Sequence, residues 1–236
     1  MNGEEYYNKI IAEVRLFGYA FKALRENMTS FFDPEFVYSL SAPSRARGRS
    51  RQADTDGMLH AASIPSETLQ HGSWPCRLFE VALERPFVAR GSLRASKSIT
   101  IVRELPSWLV FGPNGRAVAA FLAALQALDP AGRARALEEA RKSLTDMQRN
   151  VALEKMRFEA VYAERDGGLN AAQNAADAAA WNMNRFLAID AVSAIVLADV
   201  IPKDVFNLLY QPLQGVLPIE EIRALGVKSF PSSPIV

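Results

Sequence analysis

Apolar residues near the start of the chain recur alternately three and four positions apart, from Tyr7 to Met28. This spacing lies along one stripe of an α-helix, so it predicts a helix over residues 3–28 that packs into a bundle. The stripe contains Tyr7, Ile10, Val14, Phe17, Phe21, Leu24 and Met28. Asp33 followed by Pro34 pairs a capping residue with a first-turn proline, which predicts the start of the next helix.

The pattern changes twice before residue 113. Residues 39–57 are polar and small; we expect a flexible linker, because such a segment buries too little apolar surface to offset its ordering entropy. Residues 58–112 form a mixed segment with β-branched and aromatic runs bounded by proline or glycine. These runs, at 77–83, 98–102 and 108–111, predict a β-hairpin or a short antiparallel sheet.

Helical spacing returns after residue 113 and predicts a C-terminal helical bundle over 113–228, followed by an extended tail over 229–236. Glycines at 167, 168 and 226 are expected to end helices. The main predicted helices of the bundle cover residues 130–165, 169–200, 203–210 and 219–225.

Together with an N-terminal helical segment over 1–38, these segments are expected to form one compact domain. The predicted fold class is mainly α: a helical bundle with a small β-hairpin or short antiparallel sheet in the middle. An α+β fold is the alternative.

The charge, cysteine content and hydropathy of the chain indicate the compartment and the classes of partner to expect. The chain has 236 residues and a formal net charge of +1, so no overall field attracts it to nucleic acid or anionic lipid. Cys76 is the only cysteine, which fits a reducing cytoplasm. The longest apolar run, 186–201, contains Asp190; it is too short and too polar to span a bilayer, and no membrane association is expected. Asp190 is expected to pair with an arginine of another helix.

An arginine cluster lies within the predicted linker. Arg45, Arg47, Arg49 and Arg51 alternate with small residues, so in an extended chain their side chains point one way. Four guanidinium groups would bind about four phosphates. The alternative, a solvated linker, is favoured because no aromatic residues accompany the arginines for base stacking.

The chain offers few residues for metal or nucleophilic chemistry. His60 and His71 are its only histidines. With Cys76 they lack the compact spacing of a zinc site, so no metal and no cofactor are expected. A histidine base, if the protein is an enzyme, is His60 or His71.

The alanine-rich predicted helix at 169–200 carries a polar stripe. Its residues Asn174, Asp177, Trp181 and Asn184 fall at three- and four-residue spacing. Tryptophan anchors many protein interfaces and amides surround them, so the stripe is a candidate interaction face. The alternative, an exposed polar face of an amphipathic helix, is favoured because exposed polar stripes are common on helices.

These features favour a helical protein–protein interaction or assembly subunit without catalytic activity, with a protein partner or self-association. The sequence leaves two alternative functions open. One is a nucleic-acid-binding protein that uses the Arg45–Arg51 cluster. The other is an enzyme with a pocket near His60 or His71.

Overall fold

The computed structural model of the chain describes residues 2–48, 57–70, 72–143, 146–180 and 185–229. Among these residues a seven-stranded antiparallel sheet stands beside eight α-helices. The fold is therefore α+β with a substantial sheet. The predicted mainly-α bundle with a small hairpin is wrong, because strands outside the middle segment join the sheet.

The helices contribute the larger share of the described chain. They are α1 (Gly3–Phe17), α2 (Gly115–Ala127), α3 (Pro130–Ser143), α4 (Asp146–Tyr162), α5 (Asp166–Ala179), α6 (Arg185–Val196), α7 (Lys203–Gln214) and α8 (Ile219–Ser229). The strands are β1 (Ala20–Leu24), β2 (Ser44–Arg45), β3 (Leu59–Ala62), β4 (Arg77–Leu83), β5 (Val88–Arg90), β6 (Leu93–Ser96) and β7 (Ser98–Leu105). Two short 3-10 helices cover Pro65–Leu69 and Ser107–Phe111.

The strands follow the spatial order β2-β7-β4-β1-β3-β6-β5. β4 lies near the middle and pairs with β1 on one side and β7 on the other. β2, from the predicted linker, pairs with the outer side of β7. The sheet therefore joins segments that are far apart in sequence, which no local spacing reveals.

The predicted helix over residues 3–28 ends eleven residues early. Asn2 caps α1 and its side chain accepts a hydrogen bond from the Glu5 backbone N–H. Gly18 ends the helix with φ of 69°, a left-handed conformation that glycine adopts without strain. Phe21 and Leu24, assigned to the helical stripe, are buried on opposite faces of β1 instead.

The helix start predicted at Asp33 is also wrong. The Asp33 side chain accepts a hydrogen bond from the Glu35 N–H, and its carbonyl accepts one from the Phe36 N–H. These bonds close a turn that does not continue as a helix. The strands predicted at 77–83 and 98–102 are confirmed, whereas residues 108–111 lie in a 3-10 helix.

The glycines predicted to end helices lie inside them. Gly167 and Gly168 are in the first turn of α5, and Gly226 is within α8. A Cβ at Gly168 would lie 2.5 Å from the Val110 carbonyl oxygen. These glycines allow close backbone contact between elements, so packing explains them better than helix termination does.

Two apolar clusters cover the two faces of the sheet. The larger one joins one face to the helices, and the smaller one lies on the other face. β4 contributes to both, with Leu78 in the larger cluster and Phe79 in the smaller.

The predicted pairing of Asp190 is confirmed by two hydrogen bonds. The Arg149 Nε lies 2.5 Å from one Asp190 carboxylate oxygen, and a terminal nitrogen lies 3.0 Å from the other. The pair joins α4 to α6. No α-helix within the described ranges is long and apolar enough to cross a bilayer.

Candidate functional site

The sheet opens between β1 and β3. Within the described residues, these strands share one residue pair, Phe21–Ala62. On its other side β1 pairs with β4 along its whole length, from Ala20 to Leu24. No other described residue of β1 pairs with β3, and backbone groups that lack a strand partner need water or a ligand instead.

Two cavities meet at this opening. The first, of about 240 Å³, extends from β1 and β3 to the 3-10 helix that contains Glu67 and Thr68. The second, of about 210 Å³, extends to the turn at Asp33 and to Tyr38. Lys22, Phe32 and His60 line both cavities, so these residues mark the boundary that the two cavities share.

Lys22 lies at the centre of this arrangement, in the middle of β1. Within the described residues, its ammonium group makes no salt bridge or hydrogen bond; its nitrogen lies 5.3 Å from the centre of the Tyr38 ring. Burial lowers the pKa of Lys22 from 10.5 to about 8. This half-buried amine, which has no carboxylate partner in the described part of the chain, therefore exists partly in its neutral form near physiological pH.

Other charged groups of the sheet and helices contrast with Lys22. The buried Glu80 carboxylate lies 2.6 Å from the Arg103 Nε, and Asp190 pairs with Arg149. In each case the partner charge offsets the cost of burial. Among the described residues, Lys22 has only the π-face of Tyr38, which compensates a charge less than a carboxylate does.

His60 is the one predicted histidine that falls in the described residues, and it lines both cavities. Its ring meets the Phe32 ring edge to face, with 5.8 Å between the ring centres. Glu67 lines the first cavity; burial raises the pKa of its carboxyl, while a hydrogen bond from Gln70 opposes that rise. The first cavity thus has an imidazole and a carboxyl group on its walls.

The second cavity carries further charged groups. Arg47 lines it, with its guanidinium 5.5 Å from the centre of the Phe36 ring, and Asp33 lies on the same wall. Burial, together with the nearby Asp33 carboxylate, raises the pKa of Tyr38 far above its ordinary value. The Tyr38 hydroxyl therefore stays protonated. Lys22 and Arg47 against Asp33 leave this cavity net basic below the pKa of Lys22.

Cys76 is buried away from this chemistry. Burial raises the pKa of its thiol to about 12, so the thiol is protonated at neutral pH and is a poor nucleophile. The described residues contain no cluster of three or more His, Cys, Asp or Glu side chains that would hold a metal ion. His71 lies outside the described residues.

The structure divides the predicted arginine cluster. Arg45 is exposed on β2, and Arg47 is exposed at the second cavity, where it also donates a hydrogen bond of 3.4 Å to the Glu35 carbonyl oxygen. Arg49 and Arg51 lie outside the described residues. Phosphate binding by the cluster stays a prediction.

The predicted interaction face is also only partly described. Asn174 and Asp177 are exposed on α5, and Asp177 lies 3.9 Å from Arg185. Trp181 and Asn184 lie outside the described residues. The contact role of this face stays a prediction.

Sequence reasoning did not identify Lys22. Read with a helical period, it lies beside the apolar stripe and looks like an ordinary surface lysine. Read with the two-residue period of a strand, it falls on the same face as Ala20 and Leu24, where an inward charge is unusual. Comparisons of the chain with protein-family models, curated proteins and solved structures found no match.

Proposed function

We propose that this protein binds a small amphipathic organic acid in the two cavities around Lys22. The observation that carries the proposal is the position of the Lys22 amine, which is half-buried between the two cavities without a carboxylate partner within the described residues. An uncompensated buried charge is costly, and a ligand anion would supply the missing partner. The proposal develops the predicted alternative of a pocket near His60.

The first cavity suits the apolar body of such a ligand. Phe21, Phe31 and Leu93 line it, and aromatic and aliphatic walls are typical of small-molecule sites. Its volume of about 240 Å³ is below the range of about 300–1,000 Å³ of pockets for drug-sized ligands. A single aromatic ring or a short aliphatic chain is therefore the expected body.

The second cavity suits the anionic group. A carboxylate at the opening would meet Lys22, with Arg47 as a second cation on the wall beyond it. Arginine binds carboxylates through two parallel N–H donors, so it adds orientation as well as charge. The neutral Tyr38 hydroxyl lies on the same cavity and is a further hydrogen-bond donor.

Isothermal titration calorimetry with phenylacetate, 3-phenylpropionate, indole-3-acetate and octanoate tests this proposal. We expect saturable one-to-one binding of at least one of these acids. The matched neutral amide of that acid is expected to bind at least about tenfold more weakly, because a hydrogen-bonded charge pair contributes about 1.5–3 kcal/mol.

Two variants separate a specific site from a general effect of charge. Lys22→Met removes the amine while it keeps an unbranched side chain, and it should weaken binding by about tenfold or more. Lys203→Met removes a lysine that is exposed at the start of α7 and should leave the affinity unchanged. Absence of saturable binding for all four acids, or equal affinity in both variants, would refute the proposal.

A second candidate function rests on exposed apolar side chains of α4. Val151, Phe158 and Tyr162 are 53%, 69% and 82% exposed, and their spacing of seven and four residues is that of a helical seam. The Phe158 and Tyr162 rings stack with their centres 6.5 Å apart. Two copies of such a seam complement each other about a twofold axis, which favours the self-association predicted from the sequence.

Light scattering tests this second candidate. If α4 mediates self-association, the wild-type protein has a dimer mass, and Phe158→Glu lowers it to a monomer mass. Val227→Glu is the matched control, because Val227 is similarly exposed but lies on α8. A monomeric wild-type protein at high concentration would contradict self-association and leave the acid-binding proposal untouched.

A further inference from the structure

We infer that Lys22 forms an imine with a carbonyl group of its ligand, so that the ligand class is 2-oxo acids with an apolar side chain. The inference rests on the proposed function, because it assigns chemistry to the same cavities. It goes further by assigning a covalent step to the amine.

The surroundings of Lys22 favour a nucleophilic amine. Its nitrogen lies over the Tyr38 ring, and the cavities that it lines share Phe32 with it. Lysines become nucleophiles in proteins when they are desolvated in apolar pockets, because burial favours the neutral amine. A carboxylate partner would hold the proton on the nitrogen, and none is present within the described residues.

The size of the effect follows from the pKa. With a pKa of about 8, about a tenth of the Lys22 amines are neutral at pH 7, against well under a thousandth for an exposed lysine of ordinary pKa. Of the seven lysines in the sequence, Lys22 is therefore the expected site of carbonyl chemistry.

The step balances without an external oxidant or reductant. The neutral nitrogen of Lys22 attacks the carbonyl carbon, a C–N bond forms, and the carbonyl electron pair moves to oxygen. The nitrogen loses a proton and the oxygen gains one, which gives a carbinolamine. Protonation of its hydroxyl group and loss of the second nitrogen proton then release water and leave the C=N bond.

His60 and Glu67 are placed to assist these proton transfers. Both line the first cavity with Lys22, and imidazole and carboxyl groups are the usual general acids and bases of proteins. Burial raises the pKa of Glu67, which extends the pH range in which its carboxyl has a proton to donate. A 2-oxo acid also carries its carboxylate on the carbonyl carbon. With that carbon at Lys22, the carboxylate would pair with Arg47, the second cation of the adjoining cavity, so that it does not hold the proton on the Lys22 amine.

Reductive trapping on the wild-type protein tests the inference. Phenylpyruvate is incubated with the protein and sodium cyanoborohydride, which reduces an imine to a stable secondary amine. Peptide mapping by mass spectrometry then locates the adduct. We expect one adduct, at Lys22, in at least about tenfold greater yield than at any other lysine, because of its larger neutral fraction. The initial rate should rise with pH and level off above about pH 8.

Calorimetry with 3-phenyllactate separates the two proposals. This acid has a hydroxyl group in place of the carbonyl, so it can bind but not form an imine. Binding of 3-phenyllactate without a Lys22 adduct from phenylpyruvate would overturn the imine and leave acid binding standing. If neither acid binds, the imine fails together with its basis.

The position of the adduct along the chain distinguishes a specific reaction at Lys22 from general modification of lysines. Adducts spread over several lysines in proportion to their exposure would overturn the imine. Lys22→Met is expected to lose the adduct and Lys203→Met to retain it. Should Lys22→Met fold poorly, the location of the adduct on the wild-type chain decides the question without it.

Discussion

The charge of Lys22 is destabilising in its partly buried position, because burial favours the neutral form of the amine. Burial lowers its pKa to about 8, whereas in the unfolded chain the amine has its ordinary pKa. Between about pH 8 and pH 10.5 the unfolded chain therefore binds more protons than the folded one. Stability from this group consequently rises with pH across that window, and below it the buried charge destabilises the fold at full strength.

Lys22→Met is expected to raise the free energy of unfolding at pH 7 by about 1–3 kcal/mol, since one unit of pKa shift corresponds to about 1.4 kcal/mol. The gain should shrink as pH rises from 8 to 10, because the wild-type amine then becomes neutral. Urea denaturation at pH 7, 8, 9 and 10 measures it. Lys203→Met should show no such trend. A gain for Lys22→Met that stays constant with pH would show that lost packing or hydration, rather than charge, explains the effect.

For individual residues, the sequence predicted the ion pair of Asp190 correctly but did not identify Lys22 as a candidate site residue. Asp190 lies in a continuous apolar run, so a carboxylate there needs a cation, and Arg149 provides it. His60 stands out in the sequence because the chain has only two histidines. Lys22 carries no such mark. Its burial depends on a turn and a strand that come from other parts of the sequence.

Gly167 and Gly168 were predicted to end a helix, but they lie in the first turn of α5, because glycine also serves where two backbone segments pack closely. Glycine commonly ends helices, but here it lets α5 approach other backbone segments. A Cβ at Gly168 would lie 2.5 Å from the Val110 carbonyl oxygen and 3.3 Å from the Ser66 Cβ. Neither neighbour is the flexible end of a long side chain, so the backbone itself must move.

Gly168→Ala is therefore expected to lower the free energy of unfolding by about 1–3 kcal/mol, although alanine favours a helix by about 1 kcal/mol. Gly215→Ala is the matched control, because no atom lies within 4 Å of a Cβ there and its φ is −78°. That change should be neutral or should stabilise by about 0.4–1 kcal/mol. Thermal or urea denaturation compares them; equal effects of both variants would contradict the packing explanation.

The end of α1 explains why the helical period misled beyond Phe17. Tyr7, Ile10 and Val14 are buried on the helix, as the stripe predicts. Phe21 and Leu24 continue the same spacing by coincidence, since three positions apart places them on opposite faces of a strand. Gly18 was visible as a costly helix residue, but its left-handed conformation is fixed by the tertiary position of β1.

At the scale of the whole molecule, the sheet determines both the fold and the site. β1 pairs with β4 more than 50 residues away, and β3 joins β1 through a single pair. Strand-like patterns at 77–83 and 98–102 were detectable because they are long and bounded by turn residues. The opening between β1 and β3 was not detectable in the sequence. It depends on where the pairing of the two strands stops, and no local sequence pattern determines that position.

Because both apolar clusters share this sheet, the molecule is expected to unfold as one cooperative unit. Leu78 and Phe79 are adjacent on β4, and both are fully buried, but they face different clusters. Leu78→Ala should cost about 2–5 kcal/mol and Phe79→Ala about 3–5 kcal/mol. In each variant, far-ultraviolet and near-ultraviolet circular dichroism should give the same lowered midpoint in urea, since loss of either cluster weakens the strand that supports the other. The contradicting result is two separate transitions for Phe79→Ala, in which the near-ultraviolet signal is lost at a urea concentration where the far-ultraviolet helical signal is retained. The helices would then be stable without the smaller apolar cluster on the far face of the sheet.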